Sequence, residues 1–317
     1  SSEPPLLLSD TGLFIDLLTL EPTSGLIEYQ INTAFWSDGA DKRRWIGIPD
    51  SSTIQFNERS AWGFPLGTVI VKHFEIQLSV DDPNSTRRLE TRILVNTTNG
   101  FRGYVYRWND QQTDATLLTD GLDETLTITD PDAAEGMRTQ RYHYPSRAEC
   151  LNCHTGVAGE ILGVKTLQIN RDFSYPQQSD NQLRSWNHIN LFDQQDIGNH
   201  ENFAVMVDAS DENANLTDRA RAYLDANCSQ CHQPNGTTQS NMDLRYFTAL
   251  NDTNTLNTGT LTDTAESGIR LIVPGNKEQS ELWLRMQGLS GERMPNIGSN
   301  LLDTSGIQLI GEWIDSL

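Results

Sequence analysis

The chain has 317 residues, a net charge of −20 and a pI near 4.5. An acidic field of this size argues against nucleic acid or anionic membrane surfaces as partners, and it is compatible with a partner protein that has a basic docking surface or with simple solubility; a solvated acidic surface is the favoured interpretation. No apolar run approaches the length of a membrane span, so no transmembrane segment is expected. The first apolar stretch, at residues 6–20, is interrupted by polar residues and predicts an amphipathic helix.

Strand patterns dominate the part of the chain that follows. Loops and a turn at Asp38-Gly39 lead to alternating residues over 68–78, and further strands are predicted at 88–96 and 101–108, joined by a turn at Asn99-Gly100. Residues 117–129 predict one or two more. We therefore expect residues 1–140 to form a β-rich antiparallel domain, either a sandwich or a barrel.

Two short motifs use all four cysteines of the chain. Both have the form C-x-x-C-H, at Cys150–His154 and Cys228–His232, which is the attachment signature of a c-type haem. A Cys₄ zinc site would place its pairs about 15–20 residues apart, and a thioredoxin-like redox pair would not explain the repetition. The motifs predict two haem c groups, each bound covalently through Cys150 and Cys153 or through Cys228 and Cys231.

The flanking residues differ between the two motifs. Pro145 disfavours a helix entering the first motif, so residues 141–207 are expected to form a haem-binding segment unlike an ordinary cytochrome c. Residues 208–317 predict a helix capped by Asn215 or Thr217, a second near Ser280 and a third near Asp303. This order is typical of an all-α class I cytochrome c domain, and the fold class is α+β multidomain.

The second haem has an evident pair of iron ligands. His232 is the proximal ligand, and Met294, followed by a proline, is the predicted distal ligand because a thioether on a loop suits this position. Met242 and Met286 are the alternatives, but Met286 falls in an apolar helical stripe and Met242 lies close to the motif.

For the first haem, His154 is the proximal ligand, but the sequence does not decide which residue is the distal ligand. His188 is favoured because it is far enough along the chain to fold back over the ring. The alternatives are His73, His200, His143, Met137 and Met206. A vacant position is a further alternative, and it would change the function.

Two other groups of polar residues could bind ligands. Arginines in the predicted strands could meet haem propionates, although surface pairing with carboxylates is the favoured interpretation. The segment 108–114 offers carboxylate and amide oxygens to a calcium ion, but it lacks the regular spacing of a calcium loop.

Segments along nearly the whole chain resemble a family of exported dihaem c-type cytochromes of uncertain role. The resemblance rests on residues 35–45, 64–68, 90–92, 106–115, 145–150, 181–183 and 273–275 and on Met294-Pro295. It implies a β-rich N-terminal region fused to a C-terminal cytochrome c domain. The family supplies no substrate.

Electron transfer between partners outside the cytoplasm is the leading functional hypothesis. Haem c is attached outside the bacterial inner membrane, so we expect an exported protein, located in the periplasm, on the outer-membrane surface or outside the cell, whose leader was removed before Ser1. One alternative is a dihaem peroxidase or oxidase with an open first haem. The other is a homo-oligomer, a subunit of an extracellular cytochrome filament.

Overall fold

The computed structural model describes residues 3–261, 268–296 and 298–317. Twelve strands lie in this part of the chain: β1 Phe14–Asp16, β2 Glu21–Pro22, β3 Leu26–Glu28, β4 Asp41–Gly47, β5 Val69–Gln77, β6 Thr86–Thr97, β7 Gly100–Trp108, β8 Ala115–Leu117, β9 Leu122–Thr129, β10 Met137–Tyr144, β11 Asp172–Ser174 and β12 Ser179–Asn181. Six α-helices accompany them: α1 Arg147–Cys153, α2 Thr166–Ile169, α3 Gln182–His188, α4 Leu216–Asn227, α5 Glu281–Gln287 and α6 Thr304–Ser316.

The centre of the fold is a six-stranded antiparallel sheet in the order β3-β4-β5-β6-β7-β8. Its long strands β5, β6 and β7 confirm the alternating patterns predicted for residues 68–78, 88–96 and 101–108. Gly100, with φ of +87°, supplies the left-handed conformation that the tight turn between β6 and β7 requires. β9 and β10 form a separate antiparallel hairpin.

One face of the sheet is covered by the N-terminal segment. Leu8, Phe14 and Leu20 are buried there against strand residues that include Trp45 and Tyr106. The amphipathic helix predicted for residues 6–20 is wrong, because the segment forms a short 3₁₀ turn and strand β1 instead. Gly12 adopts a left-handed conformation, with φ of +71°, that an α-helix cannot contain.

The other face of the sheet carries two apolar clusters with a gap between them. The hairpin β9–β10 packs over one end, where Phe74 and Val105 meet Leu126 and Tyr142. The segment that contains α2 and α3 packs over the opposite end, against a cluster around Ile70. The N-terminal part is thus an open sheet that is covered on this face in two places, with a space between the two covers.

The C-terminal part of the described chain is built from α4, α5 and α6. Helices α4 and α6 approach closely because Gly306 has no side chain: a Cβ there would lie closer than 3.0 Å to the Tyr223 ring. The Tyr223 hydroxyl donates to Asp303 Oδ2 at 2.8 Å, and Trp313 is fully buried in the same core. Sheet and helices together confirm the α+β class.

The division of the chain at residues 140 and 207 stays a prediction. Strand β10 runs through position 140, from Met137 to Tyr144, so the hairpin continues directly into the first C-x-x-C-H motif. Among the described residues, no helix combines the length and the apolar character needed to cross a membrane.

Candidate haem sites

The first motif is held by a capped helix that follows strand β10. Ser146 is the N-cap of α1; its hydroxyl accepts from Glu149 N at 3.3 Å, and the Glu149 carboxylate accepts from Ser146 N at 2.7 Å. This reciprocal capping box turns the chain sharply after Pro145. The pattern Ser-x-x-Glu was visible in the sequence and could have predicted that Cys150 and Cys153 lie on a short helix.

The imidazole of His154 has a defined tautomer. Its Nδ1 lies 2.6 Å from the carbonyl oxygen of Glu160, and because a carbonyl can only accept, Nδ1 carries the proton. The lone pair is therefore on Nε2, as an iron ligand requires. Burial lowers the pKa of His154 to about 4, so the ring is neutral at physiological pH.

A cavity of about 590 Å³ lies beside this histidine, in the gap between the two covers of the sheet. Its volume falls in the range of small-molecule and cofactor sites, roughly 300–1,000 Å³. Cys150, Cys153 and His154 all line it. Strand β7 approaches the motif closely at Gly103, where a Cβ would lie 2.9 Å from Cys150 Sγ. Thiols, a neutral imidazole and a cavity of this size fit a covalently attached haem.

The floor of the cavity carries a row of positive charge. Arg44, Lys72 and Arg92 are directly opposite one another on β4, β5 and β6, and all three line the cavity. Like charges directly opposite each other in a sheet are destabilising. Burial, with the two guanidinium charges adding to it, lowers the pKa of Lys72 to about 7.

The second motif follows directly on helix α4. Asn215, one of the two caps considered, caps this helix by accepting from Thr217 N at 2.9 Å and Asp218 N at 3.3 Å. The helix ends at Asn227, immediately before Cys228. Burial lowers the pKa of His232, and the ring Nδ1 lies 3.5 Å from the Thr238 hydroxyl. This motif also offers two thiols and a neutral imidazole.

The structure brings the two motifs together. The side chains of Cys153 and Cys231 lie close enough to act on each other: the interaction raises the pKa of Cys153 and lowers that of Cys231. Asp225, which precedes the second motif, and Ser229, which lies within it, line the cavity of the first. Nothing in the sequence alone indicated this juxtaposition.

Met294 lies on the loop between α5 and α6. Its backbone N–H donates to Arg285 O at 2.9 Å, and its side chain is partly buried. The alternatives Met242 and Met286 are both buried in the helical core of this region, with 8% and 7% exposure. The ligand role of Met294 stays a prediction.

A clamp from the N-terminal part holds the same loop. Asp38 Oδ1 accepts from Leu301 N at 2.7 Å, and Oδ2 accepts from Asn300 Nδ2 at 3.1 Å. Trp36 adds a bond from its Nε1 to Leu301 O at 3.3 Å, and its backbone N–H donates to Asn227 Oδ1 at 2.7 Å. The turn at Asp38-Gly39 was predicted from the sequence, but its function as a clamp was not.

Two of the histidines considered for the first haem lie away from its cavity. His188, the favoured residue, is exposed at the end of α3 and lines a different depression with Tyr175 and Trp186. His73 is fully buried on the opposite face of the sheet, where Nδ1 lies 2.9 Å from the Thr91 hydroxyl. The structure does not bring either residue to His154.

The remaining candidates are no better placed. His143 lines the cavity, but its two ring nitrogens are bonded to Asp123 at 2.9 Å and Glu149 at 3.1 Å. His200 begins a short 3₁₀ turn outside the cavity lining. Met137 is 53% exposed, and Met206 is buried outside the cavity lining.

The segment 108–114, considered for calcium, uses its side chains within the protein. Asn109 Oδ1 accepts from Thr113 N at 3.0 Å, and Asp114 accepts from the backbone and hydroxyl of Ser9 at 3.1 and 2.6 Å. Asp110 faces Arg87 and Arg107. Within residues 3–261, 268–296 and 298–317, no cluster of three or more histidine, cysteine or acidic side chains could hold a metal ion.

Comparison with known proteins identifies one part of the chain. A family model described as planctomycete cytochrome C matches residues 228–296. The match begins at the first cysteine of the second motif and includes Met294, and it supports a cytochrome c domain in this part of the protein. No curated protein and no solved structure matches the chain.

Proposed function

We propose that the protein is a dihaem c-type cytochrome that carries electrons outside the cytoplasm. The observation that supports the proposal is the proximity of Cys153 and Cys231, whose side chains act on each other's pKa, because two haems attached through these motifs would then lie close together. The iron of each haem supplies reversible one-electron transfer. The protein contributes the thiols, the proximal imidazoles of His154 and His232, and the burial that keeps both rings neutral.

The C-terminal part acts as a class I cytochrome c domain in this proposal. The order of α4, the second motif, α5, Met294 and α6 supports it, as does the family match over residues 228–296. Met294 is then the distal ligand of the second haem. A thioether raises the potential of a haem relative to a second nitrogen ligand, so unlike ligands at the two sites would separate their potentials.

The sheet shields the first haem and fixes its position relative to the second. Covalent haem attachment implies export, which is consistent with the cytochrome c match. The net charge of −20 favours a redox partner with a basic docking surface.

The test is a count of covalent haem in the purified protein, by intact mass and by the absorption of its pyridine complex. We expect two haems per chain in the unaltered protein. The double variants Cys150→Ala/Cys153→Ala and Cys228→Ala/Cys231→Ala should each retain one haem, and they serve as matched controls for each other. One haem or none in the unaltered chain overturns the dihaem proposal.

EPR of the oxidised protein then separates electron transfer from catalysis. Two low-spin haems support an electron carrier. A high-spin haem with rapid turnover of peroxide would overturn the carrier role in favour of a dihaem peroxidase. Gel filtration at high concentration addresses assembly, and a monomer under these conditions would rule out a filament subunit.

A further inference from the structure

Lysine is concentrated at the cavity of the first motif. The chain has only four lysines against 43 acidic residues, yet Lys42, Lys72 and Lys165 all line this cavity. A lysine is costly to bury without a partner. The contacts of the three amines therefore indicate what each one does.

Two of these amines already have partners. Lys42 donates from Nζ to the carbonyl oxygen of Phe35 at 2.7 Å, and Lys165 is paired with Asp225. Lys72 differs: across the described ranges 3–261, 268–296 and 298–317, its side chain makes no hydrogen bond or ion pair. Its amine faces the same cavity as Cys150, Cys153 and His154.

The neighbours of Lys72 disfavour its charged form. Arg44 and Arg92 flank it directly across the sheet, and Arg92 is paired with Glu90 through bonds of 2.6 and 3.0 Å. Glu90 is thus engaged by Arg92, and no carboxylate of the described residues forms an ion pair with the amine. A neutral primary amine keeps a lone pair on nitrogen, which is the property required of an iron ligand.

We propose that Lys72 Nζ is the distal ligand of the first haem, opposite His154. The inference rests on the proposed dihaem function and adds to it the ligand that histidine was expected to provide. Of the histidines considered, only His143 lines the cavity, and both of its ring nitrogens are bonded to carboxylates. Arg44, which lines the same cavity, then has the charge to pair with a propionate of this haem.

The position of Lys72 between Arg44 and Arg92 also allows one competing role, in which a charged Lys72 pairs with a propionate without binding iron. Replacing lysine by arginine separates the two roles. Arginine keeps the positive charge and can bind a carboxylate, but it stays protonated and has no lone pair to give to iron.

The experiment compares Lys72→Arg and Lys72→Ala with Lys165→Arg, a charge-conserving change at another lysine of the cavity. EPR and absorption spectra are recorded on the oxidised proteins after a haem count. In the unaltered protein we expect two low-spin haems. Both Lys72 variants should convert one haem per chain to high spin, added imidazole should return it to low spin, and Lys165→Arg should match the unaltered protein.

Three results would overturn the assignment. If the first haem is already high-spin in the unaltered protein, it has no strong distal ligand. If Lys72→Arg leaves the low-spin spectrum unchanged, the lysine amine pairs with a propionate and does not bind iron. A chain that carries a single haem, on the second motif, removes the proposed function together with this inference. In the first two results the haem count stays at two, so the dihaem proposal survives while the ligand assignment fails.

Discussion

Replacing Asp38 by asparagine should loosen the loop that carries Met294. The carboxylate accepts two hydrogen bonds, from Leu301 N and Asn300 Nδ2, and it is only 2% exposed. Asparagine tolerates the left-handed backbone at this position, where φ is +52°. The substitution therefore changes the hydrogen bonds while it leaves the turn intact.

The size of the effect follows from those two bonds. A hydrogen bond to a charged group contributes about 1.5–3 kcal/mol, and one between neutral groups contributes about 1 kcal/mol. In Asp38→Asn both bonds become neutral ones, since the Asn300 amide can turn its oxygen towards the new amide donor. A net loss of about 2 kcal/mol shifts the balance between the held and released loop by a factor of up to about 30.

The assay follows the absorption band of methionine bound to ferric haem as the protein is warmed. In Asp38→Asn the band should disappear at a lower temperature than in the unaltered protein, and the potential of the second haem should fall once sulfur is lost. Asp41→Asn is the control, because Asp41 is exposed at the start of β4 and undergoes the same chemical change. Equal thermal loss in Asp38→Asn and the unaltered protein would refute the clamp.

Three further predictions concern packing, capping and thiol reactivity. Gly306→Ala should lower the free energy of unfolding by about 1–3 kcal/mol in a denaturant titration, because its Cβ would collide with Tyr223; unchanged stability would contradict the close helix crossing. Ser146→Ala should cost about 1 kcal/mol through the lost cap, whereas Ser146→Asp should retain most of it. In the haem-free chain at pH 7, iodoacetamide should modify Cys231 before Cys228. The neighbouring Cys153 lowers the pKa of Cys231, whereas burial raises the pKa of Cys228 to about 12. Equal rates of modification would argue against the proximity of Cys231 to Cys153.

The sequence predicted the sheet better than the segment that covers it. Strands β5, β6 and β7 pair over long stretches, so alternation and the Asn99-Gly100 turn were enough to identify them. The helix prediction for residues 6–20 failed because apolar side chains of this segment pack onto the sheet from a non-helical backbone. Their spacing in the sequence therefore resembles that of an amphipathic helix.

The candidate site was predictable only where its chemistry is local. The cysteines and proximal histidines follow from five-residue motifs, and the Asn215 cap follows from helix propensity. The position of Lys72 opposite Arg44 and Arg92 depends on strand order and register, and the Asp38 clamp joins residues more than 250 positions apart. Contacts of that kind are fixed by tertiary packing, which a single sequence does not reveal.

The meeting of Cys153 and Cys231 has a consequence for how the protein matures. The two cysteines belong to distant parts of the chain, and the effect of each thiol on the pKa of the other shows that the fold brings them close together. If both motifs carry haem, as proposed, folding before attachment would bring unreacted thiols together. The yield of finished protein would then depend on how fast haem is supplied relative to folding.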